Sequence, residues 1–155
     1  MGYAMSGDGR ARLRFITALV ADDIRREASG KNILIGVYGQ KLVVPRVGEG
    51  VMIRLACSLL YNVSTAGTSS VRLRIIGPDG TVAGEGTIEI VVVDVMGEHE
   101  IGAIDMPSLP VSLLTEGKIT IDVKQYDEDW QTIRSLPILV DPDNPIFTSG
   151  AASHA

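Results

Sequence analysis

Aromatic side chains are scarce in this chain, at 5% of 155 residues, although 45% of the residues are hydrophobic. A core without many rings is built from Val, Ile and Leu, and the β-branched members of that set suit strands. Cys57 is the one cysteine, which excludes an intramolecular disulfide and a thiolate zinc cluster. It also fits a reducing compartment, so a cytoplasmic location is expected. Apolar runs are short, and none reaches the ~18 residues that a membrane helix needs. Arg residues precede the run Phe15–Ala21 as they would in a signal sequence. That run is too brief, has no clear cleavage site after it and meets charges at once, so it reads as a strand. Met1-Gly2 does not open a convincing myristoylation site. Nucleophile-elbow, phosphate-loop and dinucleotide-loop motifs are all missing.

The net charge of −5 argues against general nucleic-acid binding. Its distribution is uneven. Residues 1–78 hold eleven Lys/Arg against five Asp/Glu, a net of +6, and residues 79–155 hold three against fourteen, a net of −11. If the two halves separate in space, head-to-tail self-association is the natural consequence.

What is present is alternation. Residues 51–63 keep period two for thirteen residues, with Val51, Ile53, Leu55, Cys57, Leu59, Tyr61 and Val63 on one face. Residues 70–76, 81–95, 119–126 and 130–140 read as further strands. Gly84 and Gly86 mark a bulge or break, and Pro137 marks an edge or bulge. Residues 13–20 are apolar on both faces, so that strand is expected to be central or covered on both sides. Residues 32–39 and 42–44 follow it, and Gly77-Pro78-Asp79-Gly80 is a β-turn. Residues 64–70 read as a flexible loop, 101–106 as a short edge strand, and Pro107 and Pro110 as a crossing at the end of the domain.

Together these give an all-β chain: an antiparallel β-sandwich, immunoglobulin-like or C2-like, of seven to nine strands, with a closed barrel as the alternative. Residues 1–10 read as a loose N-terminus, 11–141 as a single domain and 142–155 as a polar tail. At most one short helix is expected, near residues 22–28, with Asp22 as its N-cap, Gly30 past its end and an Asp22–Arg26 pair one turn apart. A plain turn fits there equally well.

That segment is the densest run of charge between two apolar runs: Asp22, Asp23, Arg25, Arg26 and Glu27. As a partner-binding site its arginines would take a phosphate or carboxylate and its acids a cation. As a structural connection it would be solvated and self-paired, which is the usual state of charge runs. Asp127 and Asp129, with Glu128, are weak metal candidates in a hairpin turn, and Asp94, Glu98 or Glu100 would join them if the loops share one end. No calcium-loop motif supports this, and an acidic turn is the commoner explanation. His99 and His154 have no partners at diagnostic spacing. Cys57 reads as a buried small hydrophobe. Trp130, Tyr126 and Tyr38 would make a ligand platform if they met, although a tryptophan after a turn more often caps the core.

The run Ala21, Asp22, Asp23, Ile24, Arg25, Glu27, then Gly30-Lys31, Leu34-Ile35-Gly36-Val37-Tyr38 and Val43-Val44-Pro45 is similar to the signature of an uncharacterised family of short bacterial and phage-borne proteins, a domain of unknown function. The Pro78-Asp79-Gly80 turn also fits. The resemblance spans most of residues 12–141, and its specific part is the front third. It implies a β-sandwich-like domain and no assigned activity, so no catalytic residue carries over. The expected function is a non-enzymatic binding or assembly module that meets an unknown protein or a second copy of itself. It needs no cofactor and has no integral membrane segment. A phage or prophage structural or accessory protein is one alternative, and a C2-like calcium- or lipid-surface module is another.

Overall fold

The computed structural model describes residues 7–93 and 101–143. Nine strands form a two-sheet β-sandwich: β1 (Arg12–Arg26), β2 (Asn32–Tyr38), β3 (Leu42–Val44), β4 (Met52–Thr65), β5 (Gly67–Ile76), β6 (Val82–Val92), β7 (Ile101–Ser112), β8 (Lys118–Gln125) and β9 (Gln131–Val140). One sheet has the order β2-β1-β4-β7 and the other β3-β9-β8-β5-β6. Neighbours run antiparallel except β3 and β9, which are parallel. No helix occurs among the described residues, and none therefore is long and apolar enough to cross a membrane.

The core is aliphatic. Leu55, Leu59, Leu73, Ile75, Ile119, Ile121 and Leu136 are among its fully buried side chains, and Tyr61 is the aromatic member. Strict alternation delivers most of these. Val71, Leu73 and Ile75 face inward from β5 while Arg72 and Arg74 face out, and Ile119, Ile121 and Val123 face inward from β8.

Strand β1 is central, lying between β2 and β4, and its outward side is covered only in part, with Ile16 exposed and Ala21 buried. Its register with β4 shifts between Phe15 and Thr17, leaving Ile16 as an extra residue. Leu13 points inward before this bulge, and Ala18 and Val20 point inward after it. A single inserted residue reverses which face looks at the core. Two apolar faces in the sequence thus serve one face in the fold.

Three other expectations are corrected. The helix or turn near 22–28 is replaced by strand, because β1 continues through Arg26. The chain reverses only over Glu27–Lys31, where the Glu27 N–H donates to Lys31 O (2.8 Å) and the Gly30 N–H to Glu27 O (2.9 Å). The supposed flexible loop at 64–70 is also strand: β4 and β5 are separated by Ala66 alone, and the chain passes there from one sheet into the other. Thirdly, Pro107 and Pro110 lie within β7. That strand pairs on one side only, and the β4–β7 register shifts opposite Ala56, where Pro107 and Ser108 oppose one residue. An edge and a bulge are the places in a sheet where a missing N–H does no harm. The turn at Pro78-Asp79 forms as expected. Asp79 accepts from the Thr81 hydroxyl (2.7 Å) and Thr81 N–H (3.2 Å), and these bonds lower its carboxyl pKa.

Side chains close one flank of the sandwich. The Gln125 amide donates to Leu13 O (2.8 Å) and accepts from Leu13 N–H (3.2 Å), so it stands in for a neighbouring peptide group. The Arg134 guanidinium donates to Ala18 O (3.1 Å), Tyr38 O (3.3 Å) and Gly39 O, joining β9 to the β1–β2 pair.

Candidate functional site

The charged segment marked by the sequence lies on a β-hairpin made by the far half of β1 and by β2. Pairing of β1 with β4 ends at Ala21↔Ala56, whereas pairing with β2 runs on to Arg26↔Asn32. Residues past Ala21 therefore leave the sheet as a two-stranded projection, and charged side chains fit a strand whose surroundings are largely water. The hairpin bends back toward β7, because the Asn32 amide donates to the Asp105 carboxylate. Ala56 and Ser58 are buried despite alternating with core residues such as Leu55 and Leu59. The return of the hairpin across this side of the sheet accounts for that burial. Between hairpin and β7 lies an open cleft of about 420 Å³, lined by Ile24, Arg26, Gly30, Asn32, Ala103, Asp105 and Pro107.

Alternation divides the five candidate charges rather than gathering them. Asp23 and Arg25 lie on one face and form an exposed ion pair, Nε to Oδ2 at 3.1 Å. Arg26 lies on the opposite face and lines the cleft. Asp22 accepts from the Tyr38 hydroxyl. Burial and this hydrogen bond to the aspartate both raise the Tyr38 pKa. Glu27 accepts from the Ser29 hydroxyl (3.1 Å) in the turn. Opposite Asp22 stands Gly36, in the left-handed region at φ +66, where a Cβ would lie 2.9 Å from Asp22 Cγ. Glycine is favoured there by conformation, and an added Cβ would in addition have to push the Asp22 carboxylate aside. The β1–β2 register is the same on either side of it, with Ala21↔Val37 and Asp23↔Ile35.

The dominant feature of this hairpin is an exposed apolar row. On β2, Ile33, Ile35 and Val37 are 43%, 39% and 52% exposed. Ile35 sits opposite Asp23 and Ile33 opposite Arg25. The strand is at the edge of its sheet, and no charged residue or proline occurs within it. In the sequence the row reads only as part of a strand over 32–39, and its exposure follows from pairing, which sets Ile35 and Ile33 beside charged residues at a sheet edge.

The remaining candidates are dispersed. Asp127 and Asp129 are exposed in the turn after β8. Among the described residues no three His, Cys, Asp or Glu side chains group closely enough to hold a metal ion. Asp94, Glu98, His99, Glu100 and His154 lie outside the described residues. Cys57 is fully buried, and burial, with a smaller contribution from the Asp105 charge, pushes its thiol up to about 12. A thiol held protonated is a packing group, not a nucleophile. Tyr38 contacts Asp22, and the Tyr126 hydroxyl donates to Thr68 O, with Arg10 stacked over its ring at 4.6 Å. Trp130 lies outside the core cluster, where Arg74 (4.0 Å), Lys124 (5.1 Å) and Arg72 (5.5 Å) approach its ring. The three rings are thus engaged at separate places. Two of these cations already hold carboxylates, Arg74 that of Asp122 and Arg72 that of Glu85.

No protein-family model matches the chain, and no curated protein matches it in sequence.

Proposed function

We propose that this domain is a non-enzymatic protein-binding module that works by strand addition at β2. The observation that carries the reading is the contrast among the four sheet edges. Natural edge strands are blunted by proline, charge, bulges or brevity, because an open edge templates pairing with another chain. Edge β7 has Pro107, Pro110 and a bulge, and β3 is three residues long. Edge β6 has Glu85, Glu89 and a register shift beside Gly84. Edge β2 has seven uncharged residues and an exposed apolar row. An incoming extended segment would gain main-chain hydrogen bonds from the edge and specificity from alternate side chains set against Ile33, Ile35 and Val37.

Extended peptides selected from a random library on the native chain test the reading. Those that shift β2 amides by NMR are expected to lose about tenfold in affinity, near 1.4 kcal/mol, against Ile35→Lys, whose ammonium would have to be desolvated beside them. Selected peptides that bind Ile35→Lys as well as the native chain, or that shift only residues away from β2, would sink the proposal.

A further inference from the structure

We infer that the strand added at β2 is the β2 of a second copy, paired antiparallel about a two-fold axis through Ile35, which joins two four-stranded sheets into one. The inference rests on the strand-addition reading and names its partner. Three observations carry it.

The first is the self-complementarity of the row. In an antiparallel pair centred on Ile35, that residue meets its own copy and Ile33 meets Val37 of the copy, so all three exposed apolar side chains find apolar partners. Moving the centre by one residue either way leaves one of the three without an apolar partner. On the other face the same register sets Leu34 opposite the copy's Gly36, which has no side chain to oppose it. Cross-strand pairs of this kind are the unit of sheet stabilisation.

The second observation is charge. No ionisable carboxylate, lysine or arginine lies in β2, so pairing two copies brings no like charges together. A symmetric pair at β6, centred on Thr87, would set Glu85 against the copy's Glu89, and like charges directly opposite are destabilising.

The third concerns symmetry. The uneven charge along the chain suggested head-to-tail association, but the fold mixes the two halves. The strands of each sheet carry five basic and three acidic residues. The strands therefore give the two sheets equal charge and nothing in them favours a polar stacking, which leaves the closed two-fold arrangement common to most homo-oligomers.

Disulfide trapping tests both the partner and the register. The one native thiol, Cys57, is buried and protonated, which leaves little background. Directly paired residues of antiparallel strands have Cα atoms about 4.5–5.5 Å apart, inside the range a disulfide needs. Ile35→Cys is expected to form a covalent dimer on mild oxidation about tenfold faster than Ile33→Cys or Val37→Cys alone, because their copies lie four residues apart along the strand. An equimolar mixture of Ile33→Cys and Val37→Cys should cross-link as fast as Ile35→Cys. Sedimentation equilibrium of the native chain at high concentration should show twice the 16.5 kDa chain mass.

A dimeric mass with equal cross-linking at all three positions overturns the register. A monomeric mass with no cross-linking at any position overturns self-pairing. In that case peptides that still shift β2 amides would leave the strand-addition reading standing, and their absence would remove it as well.

Discussion

Replacing Arg74 by methionine is expected to destabilise the chain by about 3 kcal/mol, the cost of leaving a buried charge without its partner. The guanidinium donates from Nε (3.1 Å) and Nη2 (3.0 Å) to one oxygen of Asp122. The other oxygen accepts from the Thr132 hydroxyl at 2.7 Å. Asp122 is only 6% exposed although it points away from the core, since β8 alternates and Ile121 and Val123 point inward. Once Arg74 is gone, the carboxylate keeps a hydroxyl for company in a place that water barely reaches. Arg74→Met with Asp122→Leu should restore most of the loss, because the pair itself adds little net stability while its half is costly. Urea denaturation of the two variants measures both effects. A loss below about 1 kcal/mol for the single variant would class the pair with ordinary surface ion pairs.

Gly67→Ala is expected to cost about 3 kcal/mol and to lower the melting temperature by roughly 10 °C. Gly67 has φ +139, a region that residues with a Cβ rarely enter. An added Cβ would also stand 2.8 Å from both Ala11 N and Arg10 C. Backbone cannot step aside as the end of a side chain can. The segment pressed against Gly67 is held by Ala11 N–H to Thr68 O (3.0 Å) and Thr68 N–H to Gly9 O (3.1 Å), so those bonds would be lost with it. Scanning calorimetry decides the matter. An unchanged melting temperature would mean that the close approach of residues 9–11 contributes nothing to stability.

The sandwich was legible wherever one face meets the core and the other meets water. Residues 70–76 show this, because period two and burial coincide there, and the inward rows of 51–63 and 119–126 alternate likewise although Ala56, Ser58 and Asp122 on their other side are buried as well. It was less legible where that condition fails. In β1 the bulge at Ile16 mixes the parities, so one buried face looked like two. Past Ala21 both sides of the strand are largely wet, and charge concealed strand character that the pairing with β2 enforces. Residues 64–70 are small and polar for local reasons: Gly67 must take its positive φ, and Ser69 is buried with its hydroxyl 3.4 Å from Gln125 Oε1. The site was half legible. Its location came from the charges, but its most distinctive property, an unprotected apolar edge, depends on β2 being outermost, and strand order is not written in local periodicity.

The near absence of a break between β4 and β5 bears on how the molecule can come apart. A backbone running from Met52 to Ile76 with one residue between its two strands is hydrogen-bonded to β1 and β7 in one sheet and to β6 and β8 in the other. Neither sheet is a separable folding unit, since melting either one pulls on a strand that the other needs. The sandwich is expected to open as one cooperative unit, with the amides of β4 and β5 sharing a single exchange free energy as denaturant rises. Exchange curves for the two strands that stay apart would show that the sheets can part company at Ala66. Past Ala21 the outer hairpin pairs with neither β4 nor β5, so its amides are expected to exchange apart from this shared unit.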